Sequence, residues 1–170
     1  MLDRRNAVTA GLLLPFVGGA ASAKRTSAAN PLIGSWSLID AVTVHKDGNQ
    51  GPWQGMKGPY KGLIIYQDNG MMAVQIALPR AAITEDAEFE KLSAEQRLAY
   101  LDSYYAYYGR FEFDQRTSIV HHYVESALIP NEIGVHFQRK VALNGDVVTL
   151  TTIPNSPTAT SHNVLRWRRV

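Results

Sequence analysis

From Gly34 to Arg169 the chain is broken by turn residues into short runs whose side chains alternate between apolar and polar. Alternation at a period of two places one set of side chains on each face of a strand. The connections are mostly too short for the crossover helices that parallel strands need. The chain is therefore expected to be an antiparallel all-β domain. Its first run, PLIGSWSLIDAVTVHKDG, reads as a strand of roughly ten residues, with Trp36, Leu38, Asp40, Val42 and Val44 on one face. The glycines and prolines of NQGPWQGMKGPYKG then mark a loop with apolar weight at Trp53, Met56 and Tyr60. KGLIIYQDNGMMAVQIAL reads as a hairpin turned at Asp68-Asn69-Gly70.

The period changes once. Charged and apolar residues recur at helical spacing over 93–104, where Ser93 and Gln96 fit a capping box and Leu98, Leu101 and Tyr105 share a face. Strands are expected again over 106–113, 118–126, 133–142, 146–153 and 162–169, with a tight turn at Asn144-Gly145-Asp146 and a polar loop at Pro154 to Ser161. About eight strands and one short helix point to a sandwich or a barrel.

Other classes are weak. The 170 residues suit one domain, the net charge of +2 is scattered, and no basic patch invites nucleic acid. Without cysteine there is no disulfide, thiolate metal site or cysteine nucleophile. His121 and His122 are adjacent on a strand and point to opposite faces, and no H-E-x-x-H motif accompanies them, so no metal is expected. No cofactor-binding fingerprint is present either.

The N-terminus has a different character. Arg4-Arg5, a moderately apolar run and Ala21-Ser22-Ala23 follow the order of a secretory signal peptide. Residues 1–23 are expected to be such a signal, of the general or twin-arginine kind, and 24–30 a flexible mature N-terminus. Residues 31–170 then form the domain, periplasmic or secreted, with no membrane span in the mature chain.

The densest chemistry lies in YYAYYGRFEF, Tyr104 to Phe113, and HHYVE, His121 to Glu125. Tyr107, Gly109, Phe111 and Phe113 share an almost wholly apolar face, which should point inward. The next strand offers two faces, one with Ile119, His121, Tyr123 and Glu125 and one with Ser118, Val120, His122 and Val124. The register of the turn at Asp114 to Thr117 chooses between them. Either register is expected to set Gly109 opposite a histidine, its missing side chain leaving room for the imidazole. Arg139 alternates with Val135, Phe137 and Val141, so it sits on an apolar face and requires a carboxylate partner or a ligand anion.

Several of these stretches, taken in order, resemble the bacterial and fungal lipocalin-like domain family: LIGSW, KGLIIYQDNGMM, YAYYGRFEF, VHHYVESALIP, VHFQRKV, GDVVTLTT and LRWRR. The likeness runs from about Leu32 to the last residue. It implies a calycin-type antiparallel barrel. Gly34 and Trp36 correspond to the G-x-W signature at one barrel end, with a basic residue of the last strand packed over the indole. The resemblance also favours His121 and Glu125 as the inward pair.

The resulting expectation is an exported barrel that binds a small apolar or amphipathic molecule in its interior. His121, Tyr107, Phe111, Tyr123, Glu125, Arg139, Trp53 and Arg80 are the expected contacts, with Gly34, Trp36 and Gly109 structural. Glu125 is the expected partner of Arg139. The alternative is a cofactor-independent isomerase or cyclase in the same pocket, using His121, Tyr107, Tyr123 and Glu125. A barrel with a filled interior and a purely structural role is the third reading, and a homodimer is compatible with all three.

Overall fold

The computed structural model describes residues 30–80, 82–83 and 88–170. The expected signal peptide lies outside them, as does most of the expected flexible N-terminus. Among the described residues nine strands follow one another as β1 (Gly34–His45), β2 (Gln50–Pro52), β3 (Lys61–Tyr66), β4 (Met71–Ala77), β5 (Tyr104–Asp114), β6 (Ile119–Ala127), β7 (His136–Asn144), β8 (Val147–Ile153) and β9 (Ser161–Arg169), with one α-helix, α1 (Ala94–Asp102). Each long strand pairs antiparallel with the next, and β9 pairs back onto β1, so eight long strands close a barrel. Short β2 only extends the sheet beside Val42 to Val44. The all-β barrel with one short helix expected from the sequence is the observed architecture. No described helix is long and apolar enough to cross a membrane.

β1 does not keep one phase. Leu38 pairs with Trp167 and Asp40 with Arg166, leaving Ile39 as an extra residue in a bulge. The inward set therefore changes from Trp36 and Leu38 to Ala41 and Thr43. Asp40 is turned outward into an ion pair with Arg166. The bend allows one strand to pair with β3 at its start and with β9 along most of its length.

α1 begins at the expected capping box. The Ser93 hydroxyl accepts from the Gln96 amide at 3.1 Å and the Gln96 side chain accepts from the Ser93 amide at 2.9 Å. It ends at Asp102, earlier than its periodicity predicts. Tyr104 and Tyr105 open β5, so Tyr105 faces the core while Leu98 and Leu101 stay exposed.

Trp36 seals one barrel end. It is fully buried, and its indole N–H donates to Leu32 O at 2.8 Å. Arg169, from the last strand, lies 4.0 Å above the indole and donates to the carbonyls of Ile33 and Pro31. Guanidinium-on-indole stacking and two charge-assisted hydrogen bonds thus tie the chain end to the entry of β1. At Gly34, φ is +129°, and a Cβ would meet the Arg169 guanidinium at 2.8 Å.

Gly109 has a different task from the one its sequence context predicts. It pairs with Val124, not with a histidine, because the hairpin register that sets Phe111 opposite His122 places Val124 two residues further along; the β6 bulge follows, between the partners of Gly109 and Tyr108. A Cβ there would lie 2.0 Å from the Tyr123 carbonyl oxygen. The missing side chain makes room for backbone, not for an imidazole. Gly109→Ala is therefore expected to lower stability by about 3 kcal/mol or more, since main chain has to move. Gly145→Ala, with φ +59° but open space around it, should lose about 1–2 kcal/mol. Urea unfolding of both variants checks this, and equal losses would show that Gly109 is not sterically constrained.

Candidate functional site

The face of β6 that enters the barrel is Val120, His122 and Val124. The expectation that Ile119, His121, Tyr123 and Glu125 face inward is corrected. The four-residue connection from Asp114 to Ile119 sets Phe111 opposite His122, so the alternate face turns in. His121, on the outside, shares a hydrogen bond of 3.0 Å with His136, and Tyr123 stacks on His136 with ring centroids 4.6 Å apart. Glu125 forms an outer ion pair with Arg110 at 3.2 Å. It is not the partner of Arg139, since the barrel wall separates the two faces. Arg80 is also outside. It is exposed and lies over the Tyr100 and Tyr104 rings at 5.2 and 5.3 Å.

Tyr107, Phe111, Trp53 and Arg139 are inward. Around them stand His122, which the sequence leaves as the alternative to His121, and Tyr66, which sequence reasoning misses. His122 is 1% exposed and its two ring nitrogens are both engaged. Nδ1 lies 2.7 Å from the Tyr107 hydroxyl and Nε2 lies 2.9 Å from the Tyr66 hydroxyl. Tyr66 comes from the end of β3, whose alternation carries Ile64 and Tyr66 inward. A signal for His122 exists in the sequence. Its face carries two buried valines, whereas the His121 face ends in a glutamate.

Burial sets the charges. His122 is held well below its ordinary value, because desolvation penalises the imidazolium and the Arg139 charge adds to that. Desolvation likewise raises Tyr66 and Tyr107, with the Arg139 charge opposing it at both. The triad is neutral in the physiological range. Glu132, between β6 and β7, accepts from the Tyr105 hydroxyl at 2.9 Å and is raised mainly by partial burial.

Arg139 stands on β7 opposite Thr152, over the Phe137 ring at 4.8 Å, and donates to Gln138 O at 3.1 Å. Among the described residues no carboxylate lies within 4.0 Å of it. It lines two adjoining spaces. The inner one, about 40 Å³, is walled by Trp53, Ile76, Tyr107, His122, Leu150 and Trp167, among others. The outer one, about 250 Å³, opens at the mouth between Tyr105, Glu132, Phe137 and Asn163. Gln54, Tyr105, Arg139, Thr152 and Asn163 belong to both. The inner space has room for water, and together the two make a funnel. Among the described residues no cluster of three metal-ligating side chains occurs.

With this geometry in place, comparison with known proteins decides the family. The lipocalin-like domain matches residues 33–170. The chain belongs to that family. Among solved structures it is similar to the crystal structure of a point mutant of the fluorescent protein UnaG, at 11% identity and a TM-score of 0.36, covering 81% of this chain and 95% of that one. No curated protein matches.

The buried histidine yields a pH prediction. Its proton affinity is depressed in the fold and ordinary, near 6.5, in the unfolded chain. Below that pH the unfolded state binds more protons, so its contribution to stability is present above pH 6.5 and is lost as pH falls. Between pH 6.5 and 5.5 the loss should approach about 1.4 kcal/mol per pH unit. His122→Gln should flatten this slope, and a variant with an unchanged slope in denaturant titrations at the two pH values would assign it elsewhere.

Proposed function

We propose that this lipocalin-like barrel binds a small, largely apolar molecule at the funnel centred on Arg139. The observation that carries the reading is the junction itself. A small inner space of mixed polar and apolar lining and a wider mouth share walls that include Arg139, a half-buried cation without an ionic partner among the described residues. An eight-stranded barrel is wide enough to be filled by side chains or to hold one small ligand. Here aromatic side chains fill the sealed half, so the ligand occupies the mouth half. Trp53 supports this placement. It is 2% exposed, lines the inner space, and packs edge-on at 5.3 Å against Tyr105, which lines both spaces.

The isomerase or cyclase alternative rests on the Tyr107–His122 contact. It is the weaker reading, because the imidazole has both nitrogens occupied and is a poor proton acceptor when so deeply buried. In that reading Tyr107 would touch the substrate and polarise a carbonyl.

Export belongs to the same proposal. The order of Arg4-Arg5, apolar run and Ala21-Ser22-Ala23 supports removal of residues 1–23 on the way to the periplasm or the medium. N-terminal sequencing of protein recovered from outside the cytoplasm should begin at Lys24; a retained Met1 would oppose export.

Binding is tested with N-phenyl-1-naphthylamine, a neutral apolar dye that brightens when it leaves water. One dye per chain is expected, with tryptophan quenching from Trp53 and Trp167. Thr152→Trp places an indole where the two spaces meet and should weaken the dye by about tenfold or more with the fold intact by circular dichroism. Dye binding that ignores this substitution would move the site elsewhere.

A further inference from the structure

The hydrogen-bond order along the barrel axis specifies what the funnel receives. Tyr66 is 1% exposed and its hydroxyl contacts only His122 Nε2 among the described residues. Were Tyr66 to accept from that nitrogen, its own proton would be buried without an acceptor, an unfavourable arrangement. Tyr66 therefore donates to Nε2. A neutral imidazole carries one proton, which must then be on Nδ1. His122 Nδ1–H donates to the Tyr107 oxygen, and Tyr107 keeps its own proton for something else. No acceptor for that proton is found among the described residues. Tyr107 and His122 both line the inner space, whereas Tyr66 lies outside its walls.

The chain Tyr66 → His122 → Tyr107 is thus a one-way relay that leaves a donor at the funnel. Two more donors adjoin it. Arg139 spends one N–H on Gln138 O and meets no carboxylate within 4.0 Å among the described residues. Trp167, another wall of the inner space, has a buried indole N–H without a partner. The one carboxylate at the mouth, Glu132, is already bonded to Tyr105. A hydroxyl proton, a guanidinium and an orphan indole N–H around one small space demand acceptor atoms, and the guanidinium favours those with negative charge.

We infer that the ligand carries a carboxylate or comparable oxyanion, received by the Arg139 guanidinium and the Tyr107 hydroxyl, with its apolar part toward Trp53 and Phe137. This rests on the small-molecule reading above and adds the chemistry of the ligand's polar end. His122 and Tyr66 are positioning residues, since they reach the ligand only through Tyr107.

The test uses the whole chain and matched probes: sodium octanoate, 1-octanol and the neutral dye, each titrated by tryptophan fluorescence. Octanoate is expected to bind about tenfold tighter than octanol, the discrimination that one charge-assisted hydrogen-bonded pair supplies. In Arg139→Met that ratio should fall to about one. Arg139→Lys, which keeps the charge, should retain part of the preference and guards against a variant that merely fails to fold. Nitrogen-15 spectra of the free protein should show His122 protonated at Nδ1. Dye binding with equal octanoate and octanol affinities overturns the oxyanion inference and leaves the small-molecule reading standing. If dye, octanoate and octanol all fail to bind, both fall. An Nε2–H tautomer overturns the relay.

Discussion

The stack of Arg169 on Trp36 is the contact on which the rest of the barrel depends. It joins the last strand to the first at the end where the sheet closes. The indole alone would plug that end, but its N–H would need an acceptor, which the Leu32 carbonyl supplies. The guanidinium covers the other side and takes up the carbonyls of Pro31 and Ile33 as the chain enters. One end of the barrel is thereby dry and rigid.

The filled half explains how a polar triad survives inside. Phe111 lies 4.7 Å from Tyr66, centroid to centroid, and Tyr107 meets Phe137 and Tyr105 edge-on at 5.7 Å. These rings pack closely around the triad, so an unmade hydrogen bond there is costly and the order of donors and acceptors along it is constrained. The same burial keeps His122 uncharged. A histidine in this setting is a fixed hydrogen-bond relay before it is a base. Rigidity of this kind aims the Tyr107 hydroxyl, which is what recognition of a small polar group needs.

Much of this is legible in the sequence, and each miss has a physical cause. Turn chemistry at Asn69-Gly70 and Asn144-Gly145 places the hairpins, the capping box places the start of α1, and alternation places Tyr107 and Phe111 inward. Alternation cannot reveal where its own phase breaks. Ile39 in β1 and Glu125 in β6 are extra residues at bulges, and a one-residue slip turns every subsequent side chain to the other face. Unbroken alternation puts Asp40 on the wrong face for that reason. Family likeness favours His121 over His122, against the valines that share the His122 face. Tyr66 is unreadable for another reason: nothing local marks a strand-end tyrosine as the partner of a histidine fifty-six residues later.

Gly109 links these errors to the site. Its absent side chain admits the Tyr123 carbonyl, which permits the β6 bulge at Glu125. Beyond the bulge the register with β5 shifts by one residue, so Tyr107 pairs with Ala127 where the unshifted register would set Ser126. The glycine therefore acts on the site at one remove. It shapes backbone, the backbone sets register, and register brings a tyrosine, a histidine and an arginine from three different strands to one small space.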